Sequence, residues 1–404
     1  MPSSKQRWLI LFSSLVILGF QFGLFHAMQR FQARKPDFAH LYQAGRKLDH
    51  ERFSSLIDRF PSMSSPEYSV QVDGRDFEPD TMHPPYETLL YAVLALLKFR
   101  VAYVVWWACN LWFLYLSLFV LWPRCPELHA GSPYLLILIA TFFPVLVAMV
   151  QGQNSIMLLA VLALCYAALD KGKDFRAGFA LAMGMFKFVI VIPMAFWLIL
   201  EKRWRSLGGF VCGCVWLFLI SVWLVGRSGI VAYVRLLAGF GHKAPEEPGA
   251  EAIMPNMRGL FHALASGVVP EVWLTILTLA CSLALVIWVD WRLKQYGALK
   301  LTFAVQVLLA CIVSYHFFPH DGAVLVLPLL ILVDLALQRA TERPFRIAVL
   351  VCASCVYIMP FIGGLYIGMP VVGIASFLLL ILARNAALKT TQMSAPQARL
   401  KVPS

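Results

Sequence analysis

The sequence predicts an all-α protein that crosses a membrane many times. Three observations carry that expectation. Apolar residues make up 60% of the 404-residue chain and charged ones only 14%, with a mean hydropathy of +0.73. The apolar residues gather in runs of about 20, the length a helix needs to cross the hydrocarbon layer. The basic residues collect in alternate connections between those runs, as they do where one face meets the cytoplasm. Backbone in lipid must satisfy its own hydrogen bonds, so each run is read as a helix.

Taken in order, the first run is 8–28, just after Lys5 and Arg7. It resembles a signal sequence in position, but it is longer than an h-region and no small-x-small cleavage site follows Phe25-His26-Ala27-Met28. It is therefore expected to stay as an anchor. Further runs lie near 101–122, 133–150, 154–170, 207–226, 271–291, 300–318, 322–338, 346–366 and 369–384. The stretches 86–98 and 177–200 read as half-spans or a re-entrant hairpin, the second interrupted by Lys187 and Pro193. The expected total is roughly ten to twelve spanning helices.

One set of short loops holds Lys171, Lys173 and Arg176; Lys202, Arg203 and Arg205; Arg292, Lys294 and Lys300; and Arg339, Arg343 and Arg346. The alternate loops at 151–153, 319–321 and 363–370 hold no Lys or Arg. This asymmetry puts both termini in the cytoplasm. A re-entrant 177–200 preserves the pattern, whereas a single span there would throw Lys202, Arg203 and Arg205 outside. The chain is expected to be one membrane domain over 1–404. It would have a first outer loop at 29–86, a second at 227–270 and a cytoplasmic tail at 385–404. Much of the +12 net charge sits in the inner flanks, so it speaks for orientation and against a nucleic-acid partner.

The nine cysteines fall mostly inside apolar runs. Cys352-Ala-Ser-Cys355 has CxxC spacing, but no second pair completes a metal site, and packing is the favoured reading. The sequence contains no Walker loop, dinucleotide fingerprint or HExxH. No cofactor and no metal are expected.

Polar residues concentrate on the outer side. Asp37 opens Pro36-Asp37-Phe38-Ala39-His40-Leu41-Tyr42, just past the first span. A carboxylate there can serve as a general base or as a plain helix N-cap. Three short patches accompany it: His83-Pro84-Pro85-Tyr86-Glu87, Gln151-Gly152-Gln153-Asn154, and His316 to Asp321. Each has a structural reading. Asn154 and Asp321 can cap the helices that follow them, and Pro84-Pro85 can start one. Together they suit the polar head group of a lipid substrate. Arg258, with its planar fork of donors, suits a phosphate. Lys187 has two readings: it snorkels to the cytoplasmic surface, or it reaches a lipid phosphate within the membrane.

This ordered set resembles the polytopic GT-C glycosyltransferases, closest to glycosyltransferase family 87. The likeness covers roughly residues 30–385. It rests on Asp37-Phe38, Tyr42 and Ala44-Gly45-Arg46; on Pro84-Pro85-Tyr86-Glu87; and on Gly152-Gln153-Asn154. Lys187, Asn256-Met257-Arg258-Gly259-Leu260 and His320-Asp321 complete the order. The resemblance implies a helical membrane body with interfacial helices in the first outer loop. It implies transfer of a sugar, typically mannose, from a polyprenyl-phosphate donor to a glycolipid or glycan acceptor on the outer face of the inner membrane.

Carried over by position, Asp37 becomes the general base. Arg258, Lys187 and His320 become candidates for the donor phosphate, and Tyr42, His83, Gln153, Asn154 and Asp321 for sugar or acceptor hydroxyls. Two departures stand out. Phe188 follows Lys187 where many relatives have proline, and a lone Asp37 replaces an Asp-Asp pair, which argues against a required metal. A transporter or flippase is the main alternative, although no internal repeat of the kind common in transporters is visible. A non-enzymatic scaffold is the third reading.

Overall fold

A computed structural model of the chain describes residues 37–53, 70–72, 75–77, 83–243, 251, 254–294, 298–338 and 343–362, with positions 15 and 19. The run 8–28 apart from positions 15 and 19, the run 369–384, the tail 385–404 and much of the first outer loop lie outside these residues.

Helix α1 (Asp37–Phe53) opens the described chain, and a short antiparallel ribbon of β1 (Val70–Val72) and β2 (Arg75–Phe77) follows. The first outer loop thus carries a β-ribbon besides its expected helix. Helix α2 (Pro85–Ala95) starts at a proline, which suits the first turn because its missing N–H would have no partner there. Its 11 residues make a half-span, as expected for 86–98. Helix α3 (Phe99–Leu121) is a full-length span.

The single span expected at 133–150 is instead two helices, α4 (Ser132–Ala140) and α5 (Phe143–Gln151), bent by 50°. Pro144 removes a helical N–H at the break, and the Thr141 hydroxyl bonds back to the Ile137 carbonyl at 2.7 Å. Helix α6 (Ser155–Asp170) is buried along most of its length.

Helices α7 (Asp174–Ala182) and α8 (Phe188–Leu200) enclose a 3₁₀ turn at Met185–Lys187. Next comes α9 (Trp204–Lys243), kinked at Gly226, whose φ of 66° and ψ of −178° only glycine adopts readily. Helix therefore extends past residue 226, into what the sequence suggests is loop. Helices α10 (Met257–Ala265), α11 (Glu271–Leu293), α12 (Leu299–Val313), α13 (Val326–Leu337) and α14 (Arg343–Ile362) complete the fold.

The contacts make 174–200 a re-entrant hairpin. Helices α7 and α9 run side by side in the same direction, with Gly178 against Ser206 and Phe210 and, further along, Ala182 against Gly213. Asp174 bonds Arg203 at 3.1 Å and Ser206 at 3.2 Å, where both helices begin. Two parallel neighbours starting at one level require the chain to return between them, so α8 runs back and Lys187 marks the tip.

Among the described residues four helices are long and apolar enough to cross a membrane, or six if each bent pair counts as one span. Of the expected ten to twelve, the runs 8–28 and 369–384 are not covered by this count, and several of the others fold as short, buried or broken helices around the site. Helices α3, α9 and α11 present apolar side chains such as Trp112, Phe218 and Leu279 outward, as lipid-facing helices do.

The two ends of the bundle differ in chemistry. One end gathers Arg124 with Asp170 at 3.0 Å, Asp174 with Arg203, Lys300 with Asp334 at 2.6 Å, and Arg346 on the carbonyls of Ala336 and Gln338. The short basic connections around Lys171, Arg203, Lys300 and Arg346 therefore share one end. The polar patches singled out from the sequence occupy the other.

Candidate active site

The site forms where α1, α2, the α5–α6 turn, the hairpin tip and the Pro319–Leu325 3₁₀ segment meet. Packing fixes α1 first. Phe38 lies 5.3 Å from the Tyr103 ring and 6.3 Å from that of Tyr91, and Tyr42 lies 5.3 Å from Phe99. Gly45 lets the backbones touch: a Cβ there would sit 2.3 Å from the Tyr91 carbonyl carbon. Asp37, at the start of α1, is thereby held against the end of α5.

That end is capped by Gly152 in the left-handed conformation, φ 64°. A Cβ on Gly152 would lie 2.7 Å from that of Phe38. Trp106 donates to the Gly152 carbonyl at 2.7 Å, and Tyr103 donates to that of Val150 at 3.0 Å. These bonds occupy orphan carbonyls of the helix end and present Gln153 and Asn154 as consecutive amides.

Each amide grips a carboxylate. Gln153 donates through Nε2 to Asp37 Oδ2 at 2.8 Å. Asn154 donates through Nδ2 to Glu87 Oε1. The side chain of Asn154 therefore makes no N-cap bond to α6, which corrects the structural reading of that residue. The second oxygen of Glu87 meets His83 Nδ1 at 3.0 Å.

Lys187 does not snorkel to the basic end. Its Nζ lies 2.8 Å from Asp321 Oδ1 and 3.5 Å from Gln153 Oε1. Asp321, only 2% exposed, also accepts from the Ser155 hydroxyl at 2.9 Å and the Phe318 amide at 3.0 Å. It is thus both a helix cap, as its sequence context allows, and the partner of the hairpin lysine. His320 Nε2 stands 3.6 Å from the same carboxylate oxygen. A continuous path runs from Asp37 through Gln153 and Lys187 to Asp321, with a branch through Asn154 to Glu87 and His83.

Two expected residues lie apart from this path. Tyr42 is in the aromatic packing of α1, α2 and α3, and its hydroxyl donates to the Leu97 carbonyl at 2.7 Å. Burial pushes its phenol above the ordinary value, so it stays a neutral donor to that carbonyl. Packing explains Tyr42 without a sugar. Arg258 lies over the Tyr315 ring at 4.2 Å and pairs with Glu251 at 3.1 Å. The segment 314–320 connects it to the path, and Asn256 beside it donates to the Ser314 carbonyl at 2.9 Å.

Beside Arg258 an apolar cavity of about 520 Å³ opens, lined by Met257, Leu260, Phe261, Leu285, Trp288 and Ile312 among others. Nearby, Glu251, His262 and Glu271 offer ligand atoms within 4.8 Å of one another, the one group among the described residues that could hold a metal ion. Glu251 is already paired with Arg258, and His262 with Glu271 at 3.1 Å.

Sequence reasoning missed Glu87 and Ser155 as members of the site. Glu87 had a signal: it is the lone acid of an otherwise apolar helix, and such a group is buried only with partners. Ser155 had none, since a serine at a helix start reads as a cap.

A family model described as glycosyltransferase family 87 matches residues 82–314, more than half of the chain. The matched span holds His83, Glu87, Gln153, Asn154, Lys187 and Arg258; Asp37, His320 and Asp321 fall outside it and reach the same site through the fold. No curated protein and no solved structure matches the chain. The chain belongs to glycosyltransferase family 87 and is a multi-pass membrane glycosyltransferase.

Proposed function

We propose that the protein transfers a sugar, mannose by the family resemblance, from a polyprenyl-phosphate donor to a lipid or glycan acceptor, with inversion. The observation that carries this reading is the path joining a carboxylate on an interfacial helix, Asp37, to the cation of a membrane hairpin, Lys187, through one amide. Asp37 accepts the proton of an acceptor hydroxyl while that oxygen attacks the sugar C1. The C1–O bond to phosphate breaks, and its electron pair leaves with the polyprenyl phosphate. In this reading Lys187, Arg258 and His320 balance the departing charge. Gln153, Asn154 and His83 suit sugar and acceptor hydroxyls.

The apolar cavity beside Arg258 supports a lipid-linked donor, because one substrate would need both a guanidinium partner and a dry channel. The leaving group is already a phosphate ester, so the proposed step calls for no nucleotide and no metal. The gathering of the basic loops at the opposite end supports a reading with that end in the cytoplasm and the site on the outer face of the plasma membrane.

The test is turnover of synthetic polyprenyl-phospho-sugars by purified protein in lipid nanodiscs, wild type against Asp37→Asn. Asn keeps the size and capping ability of Asp, so folding should persist while transfer falls about a hundredfold or more. An active Asp37→Asn protein would remove Asp37 from the chemistry. A wild type that moves lipid across vesicles without transferring sugar would favour a transporter.

A further inference from the structure

Three ligand-bearing side chains outside the path from Asp37 to Asp321 meet where α10 turns into α11. Glu251, His262 and Glu271 each bring a ligand atom within 4.8 Å of the other two. Backbone packing holds them there. A Cβ on Gly259 would lie 2.0 Å from the Met254 carbonyl oxygen and 2.8 Å from that of Glu251, so glycine lets the backbone of Glu251 and Met254 rest on the helix itself. His262 stands three residues past Gly259 on the same helical face, which turns its ring toward Glu251. Glu271 opens α11, and its Oε1 lies 3.1 Å from His262 Nε2.

We propose that Glu251, His262 and Glu271 form a binding site for a divalent transition-metal ion, Zn²⁺ in particular, which ties α10 to α11 and to Glu251. The donor set selects the ion. Two carboxyl groups and one imidazole suit Zn²⁺, whereas Ca²⁺ and Mg²⁺ prefer oxygen ligands alone. Three protein ligands leave the fourth tetrahedral position to water. Ligands about 2.1 Å from a tetrahedral ion stand roughly 3.4 Å apart. His262 and Glu271 already meet that spacing, and a shift of about 1.4 Å at most brings Glu251 in. Arg258, bonded to Glu251 at 3.1 Å, supports that ligand from behind. The His262 side chain is 11% exposed and that of Glu271 57%, so an ion enters from the Glu271 side.

The ion would shape the apolar cavity beside Arg258. Leu260 and Phe261 of α10 form one wall of that cavity, and Leu285 and Trp288 of α11 another. The Ser282 hydroxyl meets the Met257 sulfur at 3.6 Å on one side, and His262 meets Glu271 on the side of the connecting turn. A metal bonded to both helices replaces the hydrogen shared by His262 and Glu271 with a stronger link and holds the two walls at one spacing. It has no step in the transfer proposed above, and its binding does not depend on which substrate the protein takes.

The test is Zn²⁺ binding by equilibrium dialysis, on full-length protein in lipid nanodiscs with the affinity tag removed and metals stripped by EDTA. Empty nanodiscs supply the background. The wild type should show one tight site per chain that an excess of Ca²⁺ or Mg²⁺ does not empty. His262→Gln and Glu271→Gln should each bind about a hundredfold or more weakly, since loss of a group merely supporting a ligand already costs up to that much. His129→Gln, at the basic end of the bundle, should bind as the wild type does. Zn²⁺ should raise the unfolding midpoint of the wild type and leave that of both site variants unmoved. Glu271 is exposed, so Glu271→Gln should melt as the wild type does without metal, which separates lost binding from lost fold. Equal Zn²⁺ binding by wild type and both site variants would mark an adventitious ion only and overturn the proposal. A wild type with no tight Zn²⁺, or one whose midpoint ignores bound Zn²⁺, would overturn it too.

Discussion

Replacing Lys187 with Met should destabilise the protein by about 3 kcal/mol. Met keeps most of the length of the side chain and removes its charge. The buried Asp321 carboxylate is then left without its cation. Breaking a buried ion pair by removing one partner costs about 3–5 kcal/mol because a charge is stranded. The lower end applies here. Asp321 keeps the Ser155 hydroxyl and the Phe318 amide as donors, and the lysine is itself 14% exposed. Neutralising the stranded acid as well, in Lys187→Met with Asp321→Asn, should recover about 2 kcal/mol, within the usual range for coupled neighbours. The Asn oxygen can accept from Phe318 while its NH₂ donates to Ser155, whose hydroxyl rotates to accept. The assay is reversible unfolding in mixed micelles with increasing SDS, run on both single variants and the double. Sugar transfer should be lost in every arm that lacks Lys187, including the stable double. A double variant no more stable than Lys187→Met alone would refute the ion-pair reasoning, and full activity in either would take Lys187 out of the site.

Three further outcomes follow from the same geometry. Gly45→Ala should push α1 off α2, since its Cβ would meet the Tyr91 carbonyl carbon at 2.3 Å; melting should show a loss of about 1–3 kcal/mol with transfer falling further than stability. Arg258→Ala should raise KM for the lipid-phosphate donor about tenfold or more in a folded protein, and unchanged donor kinetics would remove Arg258 from phosphate handling. Reporters fused after residues 203, 293 or 343 should read as cytoplasmic and one inserted near 247 as external; an external signal at 203 would contradict the re-entrant hairpin.

Membrane character was legible in the sequence because hydropathy is a local property, summed along the chain without knowledge of neighbours. The re-entrant hairpin was legible for a related reason: Lys187 and Pro193 interrupt an apolar run, and the charge of Lys202, Arg203 and Arg205 restricts where it can end. The break at Thr141–Pro144 had a proline to announce it, but a proline in a membrane helix is compatible with both a kink and a separation. Helix continuing past Gly226 into Arg227 went against both a glycine and a charge, and depends on neighbours the sequence does not reveal. In the site, polar residues were conspicuous against an apolar background, so Asp37, Gln153, Asn154, Lys187 and Asp321 could be named. Their partners could not. Asn154 bonds Glu87 across 67 positions and Ser155 bonds Asp321 across 166, and no spacing rule spans such separations. Tyr42 packs among aromatic rings, and an aromatic residue beside a motif looks the same in sequence whether it packs or binds.

The contact between Lys187 and Gln153 has a consequence for which atom of Asp37 reacts. An amide can be turned end for end, exchanging its oxygen for its nitrogen with little change in shape. An ammonium has only hydrogens to offer, so Lys187 accepts one orientation of Gln153 alone, with Oε1 toward itself and Nε2 toward Asp37. The two oxygens of that carboxylate are thereby made unequal. Oδ2 already receives a hydrogen and cannot take a second from the same direction. In the proposed reaction Oδ1, which Gln153 leaves open, is the better seat for the proton, and that favours one side of approach for the acceptor hydroxyl. Because a glutamine does not titrate, that handedness is the same before and after the proton is taken, and the base returns to its starting state without rearranging its surroundings.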